Sequence, residues 1–134
     1  MVKIVALDRM PRPMLLEEAR EAARRHGTRL LICFGENGRC GGFGGIVRSA
    51  QARRLFVAEL MDLCRTHGLH GVDYNWECPG YSFGAGYAST GVINVGYKGL
   101  ASLVQETRVA FAANPPTDTA IVPFPSCQHF KNSS

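Results

Sequence analysis

The chain has 134 residues, 46% of them hydrophobic, which suits one domain, or part of a larger one, with a real core and excludes a disordered tail. Its formal net charge of +4 comes mostly from arginines such as Arg20, Arg24, Arg25, Arg53, Arg54 and Arg65, which sit among acids on predicted helices. That is the pattern of a solvated helix face, and without a basic stripe interleaved with aromatics no nucleic-acid partner is expected.

The longest apolar runs, residues 30–34 and 120–124, fall far short of a bilayer span, and residues 1–5 lack the apolar core of a secretory signal, so the expectation is a soluble chain with no membrane partner. The five cysteines, Cys33, Cys40, Cys64, Cys78 and Cys127, form an odd set without a C-x-x-C pair, and no metal site is expected. Cys33 and Cys64 lie in apolar patterns and are expected to be buried small hydrophobes. The other three remain free thiols or disulfide partners.

In chain order, residues 2–7 offer a candidate strand. Pro13 then opens a helix whose Leu16, Ala19 and Ala23 recur at helical spacing and which Gly27 ends. A strand over residues 28–34 leads into a glycine-rich segment, residues 35–45, read as a loop. It lacks the G-K-[ST] ending of a phosphate-binding loop and does not match G-x-G-x-x-G, so it is read as a sugar-binding or irregular loop. Ser49 is the N-cap candidate of a second helix, with Phe56, Leu60 and Leu63 on one face, ending at His67-Gly68. His26 and His67 each precede a helix-ending glycine, where a cation meets the negative end of the helix dipole, so capping accounts for both better than catalysis.

Residues 71–77 read Gly-Val-Asp-Tyr-Asn-Trp-Glu. On a strand, Asp73, Asn75 and Glu77 point one way and Val72, Tyr74 and Trp76 the other. A lone Glu77 is explained by a strand-end ion pair, but the row of three polar groups on a strand expected to be buried points to a site. A long loop over residues 78–96 follows, with Tyr81, Phe83 and Tyr87 as candidates either to stack on a ligand or to pack the loop. A third helix is expected over residues 97–113 and a last strand over residues 119–124.

Strands alternating with helices imply a parallel sheet covered by helices. Polar groups at the C-terminal end of such a strand favour a (β/α)8 TIM barrel over a doubly wound sheet. A barrel takes roughly 250 residues, so the α/β fold expected here is a partial TIM barrel, about strands two or three to five with their helices.

The run His70 to Glu77, followed by Cys78-Pro79-Gly80, resembles the signature of family 18 glycoside hydrolases, the chitinases: D-G-x-D-x-D-x-E, often continuing W-E-Y-P-G. Leu30 to Glu36 is similar to the family's preceding strand, which usually ends S-x-G-G. The resemblance spans about residues 13–124 and implies that residues 1–134 are a partial catalytic domain acting on chitin or N-acetylglucosamine oligosaccharides.

It implies substrate-assisted, retaining hydrolysis, in which the substrate's own N-acetyl carbonyl is the nucleophile. Glu77 matches the general acid, Asn75 the residue that orients the acetamido group and Asp73 its support. Gly35, Glu36 and Tyr81 are the candidate substrate-binding residues, and no cofactor is called for. His70, Asn75, Cys33 and Glu36 stand where the family's patterns have Asp, Asp, Ser and Gly. The alternatives are a non-catalytic carbohydrate-binding protein and an inactive truncated gene product. Half a barrel leaves open sheet edges and predicts self-association. Secretion is implied by the resemblance alone.

Overall fold

The structure, a computed structural model, describes residues 10–35, 41–76, 79–82 and 84–116. The candidate strands at residues 2–7 and 119–124 lie outside the described residues.

Helix α1 spans Pro13–Arg25, with the proline in its first turn, where a missing N–H costs nothing, and Arg24 and Arg25 in its last turn. Helix α3 spans Ala50–His67; the Ser49 hydroxyl accepts the Ala52 N–H at 3.2 Å and so satisfies one of the donors a helix start leaves open. Both helices end alike. Gly27 and Gly68 take left-handed φ of 60° and 63°, and the N–H after each reaches back to the last turn, Thr28 to the Ala23 carbonyl at 2.9 Å and Leu69 to the Cys64 carbonyl at 2.8 Å. This is the Schellman closure, which glycine makes without steric cost. The repeated His-Gly of the sequence is thus a repeated helix terminator, each releasing the chain into a strand.

Those strands, β1 (Leu31–Gly35) and β2 (Gly71–Asn75), pair in parallel in the order Leu31 with Gly71 through Gly35 with Asn75. Ile32, Phe34, Val72 and Tyr74 turn to the helices and pack against the core, whereas Leu31, Cys33, Gly35, Asp73 and Asn75 are exposed on the opposite face. The polar row, expected on a buried strand, is therefore open among the described residues. Cys33 corrects the expectation of a buried thiol for the same reason, since strand parity sets it opposite to Phe34; Cys64, on α3, is fully buried as expected.

The core lies between the sheet and three helices. Phe56, Val57, Leu60, Met61 and Cys64 of α3 meet Leu103 and Phe111 of α4, which spans Thr90–Ala113. Phe34 and Phe56 pack edge to face at 5.6 Å, a geometry aromatic rings favour. From Gly41 on, the segment read as a glycine-rich loop is instead helical and belongs to Gly41–Arg48, here α2. Phe43 and Val47, four residues apart, bury themselves between α3, α4 and Trp76, and that burial outweighs the low helix propensity of four glycines. Arg53 seals its end: Nη1 donates to the Val47 carbonyl at 2.8 Å, and the guanidinium pairs with Glu106 of α4 at 2.8 Å.

Helix α4 begins seven residues before the expected start. Its glycines are contacts rather than breaks: a Cβ on Gly96 would come within 2.9 Å of Pro79, and one on Gly99 within 2.6 Å of the Val47 carbonyl oxygen. Between β2 and α4, Tyr81–Ser82 (β3) and Gly86–Tyr87 (β4) make a short antiparallel hairpin inside the expected long loop. No helix among the described residues is long and apolar enough to cross a membrane.

Candidate functional site

The parallel register sets Cys33 beside Asp73 and Gly35 beside Asn75 on the open face. Residues two apart on a strand rise about 6.6 Å, so the Asp73 carboxylate and the Asn75 amide form a short row aimed the same way. Behind them the strand is firmly seated. Trp76 is buried and stacks on Phe43 with ring centroids 5.4 Å apart, and Tyr74 reaches the Thr107 hydroxyl of α4 at 2.8 Å. The expected division of faces therefore holds for Val72, Tyr74 and Trp76 against Asp73 and Asn75.

Gly35 is required by the close approach of the two strand ends. Its φ is 139°, and a Cβ there would stand 2.0 Å from the Asn75 carbonyl oxygen, closer than any real contact. Gly35 is thus brought to Asn75 as backbone, with no side chain intervening on the open face.

Cys33 was not among the sequence candidates for the site, yet it faces Asp73. Partial burial of the sulfur raises its pKa, and the Asp73 carboxylate raises it further by accepting the thiol proton and by repelling a thiolate; the Asn75 backbone acts in the opposite direction. The thiol form is the one that fits, an S–H donor held to a carboxylate acceptor. Counting strand parity from Phe34 would have put Cys33 on the open face, whereas its pairing with Asp73 follows only from the register of the two strands.

His70, just before β2, is part-buried: its Nδ1 accepts the Leu30 N–H at 3.1 Å and its own N–H donates to the Leu30 carbonyl at 2.8 Å. Tyr81 sits apart from the row, on the hairpin, where it meets Tyr87 edge to face at 5.0 Å; both rings are exposed. Glu77 and Glu36 lie outside the described residues. Among the described residues, no group of three or more His, Cys, Asp and Glu side chains is placed to hold a metal ion.

Helix-covered parallel strands whose polar groups gather toward the C-terminal end are the arrangement on which α/β barrels build their sites. The chain matches the model of the glycosyl hydrolases family 18 over residues 7–126 and belongs to that family. It is thereby a member of the chitinase-like glycoside hydrolase superfamily, whose fold is the TIM barrel and which includes non-catalytic proteins. The described residues form a mixed helix and strand assembly without a closed barrel. No curated protein and no solved structure matches the chain.

Proposed function

We propose that this chain is a partial (β/α)8 barrel of a chitinase-like enzyme that cleaves β-1,4-linked N-acetylglucosamine polymers by substrate-assisted, retaining hydrolysis. β1 and β2 are read as consecutive staves, and the row on β2 as the floor of the sugar site. Glu77, the next residue of that parity, protonates the glycosidic oxygen. Asn75 accepts a hydrogen bond from the acetamido N–H through its side-chain oxygen, turning the acetamido carbonyl toward the anomeric carbon. Asp73 supports Asn75 and carries the charge nearest the developing oxazolinium. Gly35 leaves room for the sugar, Glu36 is a further candidate to bind it, and the exposed ring of Tyr81, on the hairpin, is a candidate stacking face for a sugar farther along the chain.

The observation that supports this reading most is the shared open face of Asp73 and Asn75 on β2, paired in parallel with β1, inside the segment matched to the family. The test is hydrolysis of a chito-oligosaccharide by the wild-type chain and by Glu77→Gln. Turnover in the wild type that disappears in the variant supports the assignment, and turnover that survives the substitution sinks it.

One observation favours a second reading, a chitin-binding protein without turnover: Asn75 has the shape of the family's aspartate without its charge. Calorimetric binding of chitin oligomers by a wild type that releases no product would select it.

A further inference from the structure

A strand slip of one residue would turn Asp73 and Asn75 from the open face to the helix face, so the site depends on the register of β1 against β2. Two contacts hold that register, one at each end of the pair. At the C-terminal end, Gly35 meets the Asn75 carbonyl with no space for a Cβ. At the N-terminal end, His70 makes two hydrogen bonds to a single residue, Leu30: its N–H to the Leu30 carbonyl at 2.8 Å and its Nδ1 from the Leu30 N–H at 3.1 Å.

A parallel ladder does not pair residues in that way; its main-chain bonds are slanted and evenly spaced, each residue reaching two on the neighbouring strand. The second bond here is made by a side chain, which closes a ring between the residues just outside β1 and β2. Because Leu30 donates to Nδ1, the imidazole carries its proton on Nε2.

We propose that His70 is a positioning residue whose Nδ1, by accepting the Leu30 N–H, fixes the register that sets Cys33 against Asp73 and Gly35 against Asn75. Its importance for function rests on the reading of Asp73 and Asn75 as the sugar-binding row. The departure from the family signature at this position then acquires a physical meaning. An aspartate would carry an acceptor oxygen bonded to Cγ, as the imidazole carries Nδ1; histidine keeps the acceptor and gives up the charge. Asparagine places Oδ1 at the equivalent point and is expected to replace His70. Leucine has comparable bulk and no acceptor, and is expected to fail.

The experiment compares the full chain with His70→Leu and His70→Asn by two readouts that need no enzymatic activity: amide hydrogen exchange at Leu30, and site-resolved alkylation of Cys33 by iodoacetamide followed by mass spectrometry. His70→Leu is expected to speed Leu30 exchange roughly tenfold, the equivalent of one lost hydrogen bond, and to speed Cys33 alkylation as the thiol leaves Asp73. His70→Asn is expected to keep both rates near wild type. Wild-type rates in His70→Leu, or equally fast rates in both variants, would overturn the proposal. If His70→Leu does not fold, His70→Asn decides alone: protection at Leu30 supports the acceptor role, and its loss refutes it. A wild-type chain that hydrolyses no chito-oligosaccharide would defeat the proposed enzyme while leaving the exchange result standing.

Discussion

Tyr74 donates its phenolic proton to Thr107, and the direction follows from a count of hydrogens. The Thr107 hydroxyl has one proton, which goes to the Leu103 carbonyl at 2.8 Å within α4, so the contact of 2.8 Å between Tyr74 and Thr107 takes its proton from the tyrosine. The strand that carries Asp73 and Asn75 is thereby tied by a neutral phenol to the helix behind it.

The first prediction is an alkaline loss of stability centred on this bond. Burial pushes the Tyr74 pKa from 10.0 up to about 12, with the Thr107 bond acting in the opposite direction. The folded state holds its proton more tightly than the unfolded one. The contribution is therefore complete below pH 10 and is lost as the pH rises from there through about 12. Burial also pushes the Cys64 thiol from 9.0 up to about 11, so its loss begins lower and overlaps. Urea midpoints measured from pH 8 upward should fall across this window, and Tyr74→Phe should remove the tyrosine part of the slope. At neutral pH that variant should cost about 1 kcal/mol, the net worth of one hydrogen bond.

The second prediction separates two classes of glycine. Gly35→Ala forces a Cβ to within 2.0 Å of the Asn75 carbonyl oxygen at a φ of 139°, so the strand ends must part. A loss of about 3 kcal/mol or more is expected, from the strained backbone together with the broken pairing. Gly45, inside α2, meets nothing within 4 Å, so Gly45→Ala should stabilise the chain by about 0.5–1 kcal/mol. Denaturant unfolding of both variants checks the signs, and a tolerated Gly35→Ala would mean that β1 and β2 do not approach as described.

How far the sequence alone revealed this protein divides along the same lines. Period-two alternation placed Asp73 and Asn75 on one face, because side-chain parity on a strand is fixed by backbone geometry. Helix ends at Gly27 and Gly68 were equally legible, since left-handed caps select glycine. The helix at residues 41–48 was not, because its stability comes from Phe43 and Val47 packing on distant residues, and local propensity pointed the other way. The early start of α4 was hidden for a related reason: Gly96 is read as the end of a loop until Pro79 is seen against it. The Cys33 and Asp73 pair and the bond from Leu30 to His70 join the two strands across some forty positions, and no local pattern contains them.

A third prediction uses Cys33 as a reporter of the open face. Partial burial and the Asp73 carboxylate hold its thiol above the ordinary range, so at mild alkaline pH it should alkylate more slowly than an ordinary exposed cysteine. Asp73→Asn removes the charge while keeping the shape, and the thiol pKa should fall. Each unit of fall raises the thiolate fraction about tenfold. The pH profile of Cys33 alkylation should therefore shift to lower pH in Asp73→Asn. An unchanged profile would mean that the two side chains do not interact in solution.

The last prediction concerns the amide at the centre of the row. If Asn75 only orients the acetamido group, its neutral oxygen does so by one hydrogen bond and leaves the positive charge of the oxazolinium to Asp73, about 6.6 Å farther back along the strand. Coulombic stabilisation weakens with distance and with solvent on the open face, so the nearer position is the one where charge counts most. Asn75→Asp restores a carboxylate there without changing the size of the side chain. Chito-oligosaccharide hydrolysis should then rise by about 10²-fold, the scale of a single preorganised electrostatic contact in a catalytic site. The gain should appear in kcat, because the charge develops on the way to the transition state, while KM should change little. An equal rate in the two proteins would mean that the amide does not limit the reaction. A gain confined to KM would mean that position 75 binds the sugar without taking part in bond cleavage.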